Sequence, residues 1–141
     1  MTAPVIIDTN VLVAGLLTAD AQAPTAQILD GMLAARFAYV VSGELLAEYR
    51  DVLCRPKLRE LHGLSAEEVE TVLTDLALHA IVLTATTAPP SPDPGDQHLW
   101  GLLAVRDDLA LVTGDARLLA SKDWPQRIFS PRQWLDQCPL S

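Results

Sequence analysis

The sequence predicts an α/β protein, a three-layer sandwich with a mainly parallel central sheet flanked by helices. Three observations carry this. Short apolar runs recur between segments of helical periodicity, the runs do not alternate with polar residues, and turn residues follow them. Unbroken apolar strands suit a sheet covered on both faces, which is the parallel case, and strand–helix alternation is its chain order.

The strands expected on this basis are Val5 to Ile7, Ala38 to Val41, Ala80 to Leu83 and Ala110 to Val112, with Arg127 to Phe129 a weaker fifth. Between them, Ile28, Leu29, Met32 and Leu33 mark a helix over about Thr25 to Arg36. A second helix starts after Ser42 and runs to about Cys54, where Arg55-Pro56 interrupts it. Ser65 with Glu68 forms a capping box for a third. A fourth runs from about Asp96 to Arg106, after the loop Pro89-Pro90-Ser91-Pro92-Asp93-Pro94-Gly95. Ser130 with Gln133, and Pro131 at the first helical position, open the last.

With 141 residues, half of them apolar, the chain is expected to form a single domain over 1–141 with a core that needs no staples. Its two cysteines, Cys54 and Cys138, have no ligand spacing. No run of about 18 apolar residues spans a membrane, and no leader-like segment precedes Asp8, so a cytoplasmic protein is expected. A net charge of −8 argues by itself against nucleic acid. The argument reverses if some of the acids hold cations.

The placement of the acids therefore decides. In open α/β sheets ligands bind beyond the carboxyl ends of the strands. Asp8 directly follows the first strand, and Asp115 follows the fourth in Val112-Thr113-Gly114-Asp115. Each alone reads equally as a turn residue or a helix cap. Asp96 opens a helix three residues after Asp93, so two carboxylates repel at one helix entrance unless a cation is present. On the second helix Leu45, Leu46, Tyr49, Val52 and Leu53 form one apolar arc. Glu48 lies roughly 100° from its centre, whereas Glu44 and Asp51 lie roughly 140–160° away. Glu48 thus sits at the border of the core. Oxygen donors without nitrogen or sulfur suit Mg²⁺ or Mn²⁺, and such ions serve phosphoryl transfer.

Four motifs match a known family in order: Val5-Ile6-Ile7-Asp8-Thr9-Asn10-Val11-Leu12, Ser42 to Leu58 with Glu48, Arg55 and Pro56, Asp93-Pro94-Gly95-Asp96, and Val112-Thr113-Gly114-Asp115 with Leu118-Leu119. In these the chain resembles the PIN-domain nucleases, most closely the bacterial toxin components of type II toxin–antitoxin pairs (VapC-like). The resemblance implies an endoribonuclease that hydrolyses RNA with Mg²⁺ or Mn²⁺. It makes Asp8, Glu48, Asp96 and Asp115 the catalytic and metal-holding acids, Asp93 an accessory acid, and Asn10 and Thr113 their polar supports. It further implies a homodimer and a cognate antitoxin. Gly95 departs from the pattern, standing where relatives often carry another acid.

Arg50, Arg55, Lys57 and Arg59 cluster at the end of the Glu48 helix as candidate RNA contacts or as a solvated helix end. His62, His79 and His98 show no ligand spacing and read as surface or helix residues. Trp100, Trp124 and Trp134 read as core or subunit contacts. Two other functions are open to the residues: a phosphatase with Asp8 as nucleophile, which has Asn10 where a general acid is wanted, and a PIN scaffold kept as a binding module.

Overall fold

The computed structural model describes residues 3–140. Five strands, β1 (Val5–Ile7), β2 (Tyr39–Val41), β3 (Ile81–Val82), β4 (Ala110–Val112) and β5 (Ile128–Phe129), form one sheet in the order β3-β2-β1-β4-β5. Every pairing is parallel, so the mainly parallel expectation becomes a wholly parallel one. The three central strands are almost entirely buried, as their unbroken apolar runs require, and the two-residue edge strands are not.

Eight helices complete the α/β sandwich: α1 (Thr9–Leu17), α2 (Pro24–Leu33), α3 (Gly43–Leu53), α4 (Pro56–His62), α5 (Ala66–His79), α6 (Gln97–Leu103), α7 (Ala116–Leu119) and α8 (Pro131–Gln137). A 3-10 turn, Pro94–Asp96, leads into α6. The chain builds outward from β1 to β2 and β3, then crosses back to add β4 and β5 on the other side. Parallel crossovers are right-handed, so this reversal sends the connecting helices to opposite faces. The point of reversal lies between β1 and β4, where a crevice opens at the carboxyl ends of the strands.

Both capping boxes form as expected. Ser65 and Glu68 exchange bonds at the start of α5, and Ser130 and Gln133 do so at the start of α8. Two helices depart from the sequence reading. After Asp8 the sequence points to a turn or a short helix, yet α1 runs for nine residues. Its apolar residues go all round the helix, so no polar face marks its period. The interruption at Arg55-Pro56 ends α3 as expected, but Pro56 is also the first residue of a further helix, α4, where a missing N–H costs nothing. The predicted first helix also overran: α2 stops at Leu33. Ala35 takes φ 53°, and Arg36 N donates to Gly31 O at 2.8 Å, a left-handed helix end built without glycine.

Two buried tyrosines tie helices to the layer below. Tyr39 Oη donates to Leu76 O (2.7 Å) and Tyr49 Oη to Ile7 O (2.5 Å). The second bond locks α3 to the carbonyl just before Asp8, and so fixes where Glu48 stands relative to β1. On α6, Gly101 lets the chain before the proline loop lie directly against the helix: a Cβ there would meet Thr86 O at 2.7 Å and Ala85 Cβ at 2.8 Å. Gly101→Ala is expected to destabilise the fold by about 1–3 kcal/mol through overpacking, despite alanine's better helix propensity. A thermal unfolding midpoint equal to that of the wild type would refute this packing account.

Candidate active site

Asp8 begins where β1 ends. Its N–H still pairs with Val112 O (2.9 Å), so the residue is pinned to β4 by the sheet itself. Its side chain is only 5% exposed. Oδ1 accepts from Thr9 N (2.8 Å), while Oδ2 accepts from Thr113 Oγ1 (2.8 Å) and Asn10 Nδ2 (3.3 Å). Burial pushes this carboxyl above its ordinary range, against the Thr113 and Thr9 bonds that favour the anion.

Thr113 is fully buried beyond β4, and its Oγ1 also accepts from Asp115 N (3.0 Å). Asn10 Oδ1 accepts from Gly114 N (2.9 Å). Asn10 and Thr113 therefore cross-link the two strand ends that carry Asp8 and Asp115. Gly114 has a role in this: a Cβ on it would stand 3.3 Å from Asn10 Oδ1, closer than is comfortable. Its use here is close approach, not a positive φ.

Glu48 reaches the same place from α3. Its Oε2 accepts from Thr9 Oγ1 (2.9 Å) and lies 3.3 Å from His98 Nε2. The border position read from the helical arc is borne out, with the side chain about one-third exposed. His98 holds the Glu48 carboxyl below its ordinary range, with burial opposing. His98 is a helix residue, as the sequence reading allows, but not a surface one: its side chain is only 10% exposed and faces Glu48. Its Nδ1 is buried without a partner. The Glu48 bond raises its basicity against burial. A lone histidine on a short apolar helix offers no spacing signal; only its position two residues past Asp96 hinted at it.

Asp96 closes the 3-10 turn, its N–H bonded to Asp93 O (2.9 Å). Although it stands at the cap position of α6, its side chain makes no capping bond. Its carboxyl is pushed up to about 6, first by burial and then by the charges of Asp8, Asp93, Asp115 and Glu48. Asp115 does cap its helix, Oδ1 accepting from Arg117 N (2.8 Å), while Oδ2 stays free of the cap.

The four main acids, with Thr9 and Asn10, line one open crevice of about 490 Å³. Val13, Ala14 and Leu17 of α1 and Val52 of α3 give it an apolar wall. Asp93 lies just outside, its Oδ1 accepting from Gly95 N (2.9 Å) and Oδ2 from Arg117 (3.2 Å). Gly95 and Arg117 hold its carboxyl below the usual range. Of the basic cluster, only Arg55 lines the crevice. Arg50 is engaged by Glu70 at 2.6 Å, Arg59 lines a separate shallow hollow beside Glu60 and Glu68, and Lys57 is solvent-exposed.

Among the described residues no three or more His, Cys, Asp or Glu side chains are arranged to hold a metal ion as they stand. The donor chemistry nevertheless fits a hard divalent cation: all four acids offer oxygen. The raised Asp96 carboxyl reflects burial first and then repulsion by the neighbouring acids, and such an ion would relieve the second.

Comparison with family models aligns the PIN domain with residues 4–117, and the chain belongs to that family. PIN domains are typically nucleases, acting on RNA or DNA, and they usually use divalent metal ions. Comparison with curated proteins gives no match. No helix among the described residues is long and apolar enough to cross a membrane.

Proposed function

We propose that this chain is, over residues 1–141, a Mg²⁺- or Mn²⁺-dependent endoribonuclease, the cytoplasmic toxin of a toxin–antitoxin pair. The observation that carries the nuclease reading is the convergence of Asp8, Glu48, Asp96 and Asp115 from four separate segments onto one crevice. Asp8, Asp96 and Asp115 are the residues to hold an ion, directly or through water, and Glu48 completes the set. A divalent ion supplies such a site with activated water and with charge neutralisation on the phosphate.

The chain's own residues supply the positioning. Thr9 and His98 fix Oε2 of Glu48, leaving Oε1 without a recorded partner. Thr113, Asn10 and the Thr9 N–H hold Asp8 so that its carboxylate needs no rearrangement during reaction. Asn10 is committed to Gly114 and Asp8, which disfavours its use in a phosphatase mechanism. The apolar wall above an acidic floor suits a basic amphipathic segment of an antitoxin, with Arg or Lys set against the acids. The homodimer rests on the family resemblance.

The test is a cleavage assay on matched single-stranded RNA and DNA with Mg²⁺, with Mn²⁺ and with EDTA. RNA cut internally in either metal and protected by EDTA is the expected result. RNA left intact in both metals, or cleavage indifferent to EDTA, overturns the proposal.

A further inference from the structure

Resting on the nuclease reading above, we propose that Arg117 is a protein-borne second cation of this site, confining it to one divalent ion and presenting a guanidinium to the scissile phosphate. Arg117 is the second residue of α7. Its N–H donates to Asp115 Oδ1 (2.8 Å), and its Nη2 lies 3.6 Å from Asp115 Oδ2. Both oxygens of Asp115 thus face one residue. The same Nη2 donates to Asp93 Oδ2 at 3.2 Å. The other oxygen of Asp93 is taken by Gly95 N. One guanidinium therefore spans the proline loop and the β4–α7 turn, and it offsets half of the charge of the two acids on that side.

The opposite side is different. Among the described residues no Lys or Arg pairs with Asp8 or Asp96, and Glu48 meets only Thr9 and His98. The cluster is divided. Asp8, Asp96 and Glu48 lack a full counter-charge, whereas Asp93 and Asp115 already share one. A divalent ion is drawn to Asp8, Asp96 and Glu48, with Asp115 reaching it through water, and Arg117 stands where a second ion would need Asp93 and Asp115.

Arg117 is also available to substrate. Its side chain is 63% exposed, and one of its two terminal nitrogens makes the recorded carboxylate contacts. A planar guanidinium keeps further N–H donors for a phosphate oxygen in a fixed fork, which a lysine does not reproduce. Such a contact lets the chain meet RNA with very few other cations at the crevice.

Calorimetric titration of Mn²⁺ alone into wild type, Arg117→Ala and Arg117→Lys tests this, with circular dichroism to verify that each variant is folded. The expected result is one ion for wild type and Arg117→Lys, and a second ion for Arg117→Ala. In parallel, RNA cleavage at Mn²⁺ levels too low to fill the second position falls about tenfold in Arg117→Ala, the loss of one bond to a charged group. Arg117→Lys recovers part of that activity. Wild type and Arg117→Ala binding one ion each would overturn the role of Arg117 and leave the nuclease reading intact. No Mn²⁺ uptake by either, with RNA uncut, would overturn both.

Discussion

Asp8→Asn is expected to abolish RNA cleavage while leaving the fold in place. The loss in kcat/KM is at least about a hundredfold, since even residues that merely support a metal ligand are worth about 10- to 100-fold. The fold survives because asparagine is nearly isosteric. Its amide oxygen still accepts the Thr9 N–H that caps α1, and its NH₂ faces the Thr113 hydroxyl, which keeps a lone pair beside the one that accepts from Asp115 N. Only the longer 3.3 Å bond from Asn10 Nδ2 is lost. The substitution also removes a charge from a side chain that is 5% exposed and whose ionised form burial disfavours. A neutral amide is cheaper to bury than a carboxylate without a cation. The melting temperature of metal-free protein is therefore equal to or above that of the wild type. Gel analysis of RNA cleavage and a thermal melt on one preparation check both halves. Full activity in the variant would remove Asp8 from the mechanism, and an unfolded variant would make it a structural residue instead.

The two halves of that expectation come from information of different kinds. Where the chain had strong local grammar, the sequence was readable. Val5–Ile7, Tyr39–Val41 and Ala110–Val112 are apolar on both faces because they are buried on both faces. Asp8, directly after one such run, and Asp115, just past Thr113-Gly114 after another, had to lie near each other once β1 and β4 paired. Glu48 was legible because a helix has one core-facing arc and Glu48 borders it.

What stayed hidden depended on tertiary contact. The helix α1 lacks a polar face because it meets both α2 and α3, so its period was invisible. The role of His98 exists only because α6 is brought beside α3. Arg117 lies in a stretch of four helical residues, too short to show a face, and its partner Asp93 comes from a distant loop. The basic cluster at residues 50–59 shows the reverse error that sequence proximity invites. Its members look like one patch along the chain, yet α3 ends and α4 begins inside it, so that Arg55 turns to the crevice and Arg59 to another hollow.

Asp96→Asn should act in opposite directions on activity and stability. Cleavage falls by at least about a hundredfold, on the same reasoning as for Asp8. Stability rises, and the pH dependence follows from the sign of the shift. The carboxyl has an ordinary value of 3.8 and is pushed up to about 6 in the folded chain. Between those values the folded state holds a proton that the unfolded state has released, so stability falls as pH rises through that window and remains lost above it. His98, also raised, contributes in the same direction as pH climbs past its ordinary value of 6.5. The lowered Glu48 and Asp93 carboxyls act only when pH falls below their ordinary values of 4.5 and 3.8.

The difference between wild type and Asp96→Asn isolates Asp96 from these neighbours. A shift of about two units corresponds to about 3 kcal/mol if fully expressed, which solvent screening of this only partly buried group reduces to about 1 kcal/mol. For a chain of this size that is about 3–5 °C in melting temperature. In metal-free buffer the variant should melt higher than wild type at pH 7.5, with the two curves converging near pH 4. Mn²⁺ should then raise the wild type more than the variant, because only the wild type has the full repulsion for an ion to relieve. Melting curves that stay parallel from pH 4 to 7.5 would mean that Asp96 feels neither its burial nor its neighbouring acids, and the crevice would lose its strongest electrostatic sign of a cation site.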